Sequence, residues 1–278
     1  MTDINTIAAS SDHKWVVCGT DKGASVWDAE LHEKAIHVEN TNQVSAVDVS
    51  PDSTRFAAGT AGSGRDYEAS IWSITSGERL VGPLAHDNTV SGIRFSNGER
   101  MVTSSFGGSV RIFDSRNGDQ LIDINIITRS EWISTPLAWS NDNQQIFTTS
   151  DDYKVRSFAV STGSQIAESP NRLVGCKSIS LAPNGKYIAT YAGRSISFLD
   201  PSTLSLISIV PVVEDSKDIF SIAITREGSH LATGQAEGRV TVRNLGSILP
   251  DSHGPFHVSG LFDRDGISGN LAPSRLLL

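Results

Sequence analysis

Cysteine is nearly absent, with Cys18 and Cys176 the two thiols in 278 residues. Two thiols cannot staple a small secreted scaffold, and the seven scattered histidines form no Cys/His cluster of zinc spacing. No Asn-x-Ser/Thr acceptor is present, and Asp3 and Asn5 stand where a secretory leader would run from basic to apolar. These absences point to a reducing intracellular location, cytoplasmic or nuclear. Long apolar runs are missing too. The longest, Leu204 to Val213, is interrupted by Ser205, Ser208 and Pro211 and reaches about half the length that spans a bilayer. No membrane association is expected. Basic residues are in deficit, 23 against 31 acidic, for a formal net charge of −8. A broad phosphate-binding face, and with it a nucleic-acid partner, is not expected. Hydrophobic residues at 38% and charged residues at 19% still describe a folded globular chain, long enough for two small domains or one large all-β domain.

Chemistry-bearing motifs are equally scarce. There is no Gly-x-Ser-x-Gly elbow for a nucleophilic serine. The run from Gly59 through Gly62 and Gly64 to Arg65 lacks the Gly-Lys-Ser/Thr of a phosphate loop, and reads as a long mobile loop. Asp263-Arg264-Asp265-Gly266 lacks the third carboxylate and the closing glutamate of a calcium loop. His32 and His37, five apart in a region read as strand, point to opposite faces and cannot chelate together. Cys18 and Cys176 are expected to be buried structural thiols. No catalytic residue, metal site or cofactor site is expected, and the chain is read as a non-enzyme.

What the sequence does have is a repeat. An aromatic or apolar residue closes a short β-patterned run at Trp27, Trp72, Phe113, Phe158, Phe198 and Val242, at separations of 40 to 45 residues. The runs read SVWD, SIWS, VRIFD, VRSF, ISFLD and VTVRN. Upstream of each anchor lies a second shared block of strand, polar turn and strand, for example VSAVDVSPDSTRFAAGT at 44–60 and VSGIRFSNGERMVTSS at 90–105. Each unit holds four short runs separated by turn residues such as Asn97-Gly98 and Asn184-Gly185. No window has the apolar spacing of a core helix. Four antiparallel strands per 40–45 residues predict an all-β chain, a β-propeller of four-stranded blades.

The residues carry a family resemblance as well: the chain resembles the WD40 repeat family across roughly residues 4–250. Val26-Trp27-Asp28 matches the signature dipeptide at the end of a third strand, with Trp72, Phe113-Asp114 and Asp200 at related places. Ser50-Pro51-Asp52-Ser53 is similar to the family's turn between first and second strands, and His86 stands where the Gly-His histidine stands. Asp151 and Asp21 look like the aspartate of the tight turn between second and third strands. In the family such His, Ser/Thr, Asp and Trp residues bond within one blade. No blade here holds all four, so divergent repeats stabilised by apolar packing between blades are expected.

Six repeats are recognisable, near 4–38, 39–82, 83–124, 125–169, 170–211 and 212–250. Residues 251–278 are either a C-terminal extension or the remnant of a seventh repeat, because Val258-Ser259-Gly260-Leu261 echoes Val90-Ser91-Gly92-Ile93. A closed six-bladed ring is preferred, since an open ring would expose an apolar blade face; an open one would allow self-association across the gap.

The resemblance also implies a site. In the family, the loops at one end of the blades form the usual partner surface. Carried over, those loops hold Tyr67, Phe106, Trp132 and Tyr153, joined by Arg194 and Lys217. Aromatic residues with arginine dominate binding hot spots. The function this implies is a non-catalytic scaffold or adaptor for protein partners. The alternatives are a propeller-type hydrolase or lactonase, which needs convergent carboxylates or a metal, and a nucleic-acid or membrane-surface adaptor, which the charge disfavours. The Phe-Arg-Arg-Gly motif of phosphoinositide-binding propellers is not found.

Overall fold

Short β-branched runs broken by Ser, Asp, Asn and Gly fold into consecutive antiparallel sheets, in a computed structural model that describes residues 3–40, 42–62, 66–126, 136–149, 152, 154–170, 178–192, 195–211, 219–225, 227–235, 239–247 and 249. The first sheet holds β1 (Ile4–Ala9), β2 (Trp15–Thr20), β3 (Gly23–Asp28) and β4 (Glu33–Glu39). The second holds β5 (Gln43–Val49), β6 (Arg55–Ala61), β7 (Tyr67–Ser73) and β8 (Arg79–His86). The third holds β9 (Val90–Phe95), β10 (Arg100–Ser105), β11 (Ser109–Asp114) and β12 (Gln120–Asn125). The fourth holds β13 (Leu137–Trp139), β14 (Gln145–Thr149), β15 (Val155–Ala159) and β16 (Gln165–Glu168). The fifth holds β17 (Ile179–Leu181), β18 (Ile188–Ala192), β19 (Ser195–Leu199) and β20 (Leu206–Pro211). Three strands of the sixth are described, β21 (Ile219–Ile224), β22 (His230–Gln235) and β23 (Val240–Asn244), followed by a 3₁₀ turn at Leu245–Ser247.

In every sheet the spatial order is the chain order. That up-and-down topology is the blade of a β-propeller, and the expected fold class is what the chain has. The chain divides into two compact units, Met1–Ile166 and Ala167–Leu278. The first carries the first four sheets, with β16 running just past its boundary.

Within the first unit the core lies between sheets, and both faces of a middle strand are used. On β11, Ile112 joins the cluster shared with the fourth sheet, while its neighbour Phe113 joins the cluster shared with the second. Val17 and Val26 of the first sheet meet Val47 and Phe56 of the second in the same way. Full burial of one such side chain is worth about 1.5–3 kcal/mol. Close approach needs small residues: a Cβ on Gly19 would meet Val44 Cγ1 at 2.6 Å, and one on Gly59 would meet Val90 Cγ1 at 2.5 Å. The second unit has its own cluster, in which Tyr187, Phe198, Ile222 and Leu231 are buried together.

Three of the turns between first and second strands share one device. Ser10, Ser50 and Ser140 each donate from Oγ to the carboxylate two residues on, Asp12, Asp52 and Asp142. Those carboxylates accept from the backbone N–H of Lys14, Thr54 and Gln144. The last turn residue is left-handed, with φ of 63° at His13, 59° at Ser53 and 57° at Asn143. Bonding from Ser10 and Ser140 holds the Asp12 and Asp142 carboxyls below the usual range. At Asp52 burial pushes the other way, and the bonds from Ser50 and Thr54 outweigh it.

The signature aspartates close the turns after the third strands. Asp28 Oδ1 accepts from the N–H of Glu30 and Leu31, and Asp200 Oδ1 from Ser202 and Thr203. Asp114 accepts from the backbone and the guanidinium of Arg116, which holds its carboxyl down at about 2.

Two expectations need correction. His32 is not in a strand: it sits in the turn before β4, left-handed at φ 57°, where its N–H bonds Asp28 O at 2.9 Å. His37 is on β4 and bonds Ser25 at 2.9 Å. The glycine-rich run is not a loop from its start, because Gly59, Thr60 and Ala61 belong to β6, paired with β5 and β7. Residues 63–65 lie outside the described ones.

Candidate partner-binding rim

Antiparallel order puts three kinds of connection at one end of each sheet in the first unit. These are the entry to the first strand, the turn between second and third strands, and the end of the fourth strand. On the third sheet that end is built on His86, the last residue of β8 and 6% exposed. Its Nδ1–H donates to Leu84 O at 2.9 Å, so the neutral ring's Nε2 accepts from the Thr103 hydroxyl at 2.8 Å. Burial lowers its pKa, which keeps this neutral arrangement at pH 7. The imidazole also lies against Phe113, ring centroids 6.0 Å apart. His and Ser/Thr of the family's intrablade network are thus joined here, and an apolar Phe113 contact stands where a tryptophan would bond.

Around this support are groups that face outward. Asp87 pairs with Arg111, which also donates to Ala85 O at 2.9 Å and lies 3.4 Å from Asp123. The pair is asymmetric, with the Arg111 side chain 14% exposed and that of Asp87 84%. Arg156, at the matching place on β15, donates to Asp152 at 2.9 Å. Phe106 occupies the turn between β10 and β11, half-buried, with its N–H bonded to Thr89 O at 2.9 Å. Two left-handed glycines, Gly107 and Gly108, follow it. Tyr67 is also half-buried, but it opens β7 in register with His86 instead of lying in the preceding turn. Asn42 ties the entry of the second sheet to Asp66 O at 3.1 Å, and Asn5 ties Asp21 at 3.0 Å.

Tyr67 and Phe106 therefore sit at the same end of neighbouring sheets. Trp132, Tyr153, Arg194, Lys217 and the turn aspartate Asp151 lie outside the described residues. The signature positions differ in burial. Phe113 is 3% exposed, Trp72 half-buried with the Arg79 guanidinium 5.7 Å from its ring centroid, and Trp27 38% exposed. The arginine pairs escaped sequence reasoning, although Val-Arg two residues before an anchor, at 110–111 and 155–156, was available as a signal.

Elsewhere the chemistry is sparse. The opposite end of the third sheet has a hollow of about 360 Å³ between turns, where Arg116 pairs with Glu99 at 2.7 Å and Asp114 at 2.6 Å. Cys18 is buried, and burial pushes its thiol pKa up. Among the described residues no three His, Cys, Asp or Glu side chains converge as a metal site would need. No helix among them is long and apolar enough to cross a membrane.

The family model for the WD domain, G-beta repeat, matches residues 2–28, 33–73 and 78–114, which cover β1–β3, β4–β7 and β8–β11. The small ribosomal subunit protein RACK1 of Caenorhabditis elegans is 29% identical over 154 residues, 52% of this chain and 46% of its own length. The protein of the same name from Drosophila melanogaster is 27% identical over 153 residues, with the same coverage. The chain thus spans about half the length of the curated relatives it matches. The three repeat matches run from β1 to β11 and each ends on a third strand that carries an anchor, so this part of the chain is similar to WD40 repeats.

Proposed function

We propose that this chain is a non-catalytic, intracellular scaffold that docks protein partners on the rim formed by Tyr67, Phe106, Trp132 and Tyr153, with Arg194 and Lys217 as further contact residues. The observation that carries the reading is the build of the third sheet's rim. A buried, neutral His86–Thr103 pair and the Arg111 ion pairs tie the strands together, while Phe106 stays half-buried and Asp87 faces outward. Rigid strands under aromatic loops lower the ordering cost of binding. The acidic chain supports protein partners over nucleic acid, and the relatives' assignment to a ribosomal subunit supports life inside an assembly.

The test compares the full chain with a Trp132→Ala/Tyr153→Ala variant, purified with its bound partners from the source cells and melted in parallel. The expected result is loss of the partners, each contact being worth about 2 kcal/mol of binding, with the melting temperature moved by no more than a few degrees. Unfolding of the variant, with both rings then assigned to packing between blades, overturns the rim.

A narrower reading follows from the relatives' printed name: the partner is the small ribosomal subunit. Co-sedimentation of the chain with purified small subunits tests it. Binding that persists between about 50 and 200 mM salt supports a protein contact, whereas a steep fall marks phosphate contacts.

A further inference from the structure

Asparagine followed by glycine occurs three times, at Asn97-Gly98, Asn117-Gly118 and Asn184-Gly185, each time between two strands. In water this dipeptide is chemically unstable. With no side chain on the glycine, its backbone nitrogen reaches the asparagine Cγ and displaces the amide nitrogen, which makes asparagine thermolabile. All three asparagines are exposed to solvent, so access does not separate them. Their hydrogen bonds do.

Asn117 and Asn184 are tied at both reacting groups. Asn117 Oδ1 accepts from Asp119 N–H at 3.0 Å, and its Nδ2 donates to the Asp119 carboxylate at 2.7 Å. Asn184 Oδ1 accepts from Lys186 N–H at 3.0 Å. The glycine nitrogens beside them donate to backbone carbonyls, Gly118 to Asp114 at 2.9 Å and Gly185 to Ala182 at 2.8 Å. Both glycines are left-handed, at φ 83° and 70°. The turn between β9 and β10 is built differently. It closes from Ser96 N–H to Arg100 O, one residue tighter than the turn from Ser50 to Arg55, and it has no aspartate. Ser96 Oγ is left to accept from two N–H groups, Gly98 at 3.1 Å and Arg100 at 3.2 Å. The Gly98 nitrogen is thus held by a shared hydroxyl, at a longer distance, and not by a carbonyl. Gly98 is not left-handed. The Asn97 N–H donates to Asn143 Oδ1 at 3.1 Å, but the Asn97 side-chain amide has no hydrogen bond among the described residues.

We propose that Asn97 is a modification site, which this chain converts by itself to aspartate and isoaspartate. The Gly98 nitrogen gives its proton to solvent and bonds to Asn97 Cγ. The Cγ–Nδ2 bond breaks, and the amide nitrogen leaves as ammonia with a proton from water. The cyclic imide then takes up one water. Cleavage of its nitrogen–Cγ bond gives aspartate, and cleavage of its bond to the backbone carbonyl carbon gives isoaspartate. No oxidant or cofactor enters. Either product adds a carboxylate beside Glu99. Isoaspartate also inserts a methylene into the main chain after Asn97, next to the bond from Asn97 to Asn143 that joins the turns of the third and fourth sheets. The site lies at the end of the third sheet away from Phe106, so it stands or falls separately from the rim.

The test incubates the full chain at mildly alkaline pH, where the Gly98 nitrogen loses its proton more readily. Peptides are read by mass spectrometry and by methyl transfer from labelled S-adenosylmethionine with an isoaspartyl methyltransferase. Conversion at Asn97 is expected to be several-fold faster than at Asn117 or Asn184, with the label on the peptide that carries position 97. In concentrated urea the three rates are expected to converge, because the dipeptides are then alike. Gly98→Ala is expected to slow conversion several-fold by crowding the attacking nitrogen. It should leave the melting temperature unchanged, since a Cβ there would meet Ser96 Oγ at an ordinary 3.7 Å. Equal rates at the three sites in the folded chain, or a faster one at Asn117 or Asn184, overturn the proposal. So does a difference that persists in urea, which assigns it to the neighbouring sequence and not to the fold.

Discussion

His86 makes its two hydrogen bonds in one protonation state, and that sets a pH dependence. Burial lowers its folded pKa below the ordinary value of 6.5, so the unfolded chain binds the proton more readily. Its contribution is therefore complete above about pH 6.5 and is lost as the pH falls through the folded value. Urea unfolding is expected to show a lower midpoint at pH 5.5 than at 7.5. His86→Ala should cost about 1–3 kcal/mol at pH 7.5, because it leaves the Thr103 hydroxyl without its acceptor in a buried place, and should flatten the slope between the two pH values. Asp48 has the opposite sign. Burial raises its carboxyl pKa against the pull of Arg94, while Oδ2 accepts from Phe95 N–H on the next sheet at 2.7 Å. Its favourable share is present at low pH and is lost as the pH rises through the folded value. Asp48→Asn keeps an acceptor for Phe95 and removes the charge, so at pH 7 it should be at least as stable as the parent. Asp48→Ala strands that N–H and should lose about 1–3 kcal/mol, measured by the same titration.

At the scale of elements, the turns were legible in kind and not in detail. Ser50-Pro51-Asp52-Ser53 announces a turn by composition alone, and the structure adds why. The serine and the aspartate bond each other and the backbone, and the residue two before the second strand turns left-handed. His32 shows the cost of reading a pattern without its register. It falls among strand-like residues, yet Asp28 accepts from three successive N–H groups through its side chain and carbonyl and closes the turn over it. A left-handed non-glycine carries about 1–2 kcal/mol of strain. His32→Gly, at an exposed site, should therefore raise stability by about 0.5–1 kcal/mol in thermal or urea unfolding. Tyr67 was expected in a loop and opens β7 instead, because β7 begins one strand-pair earlier to meet His86. The Arg111–Asp87 pair spans 24 residues of chain and depends on which β11 side chains face the rim. Spacing in the chain does not supply that, whereas the 40–45 residue recurrence of Trp27, Trp72 and Phe113 is visible without any structure.

For the whole molecule, divergence of the repeats sets where stability and binding reside. The intrablade network survives as a His86–Thr103 pair on the third sheet, so the sheets of the first unit depend on apolar clusters between neighbours, and Ile93, Ile112 and Phe56 are wholly buried there. Stability of this kind adds up between neighbours. The rim claim has a direct test in site-specific photocrosslinking. Benzoylphenylalanine replaces Phe106 at the proposed rim or Leu121, 46% exposed at the opposite end of the same sheet, and the full chain is irradiated in its source cells. The account predicts discrete partner adducts from position 106 and none from 121. Adducts from 121 alone, or equally from both, would contradict it.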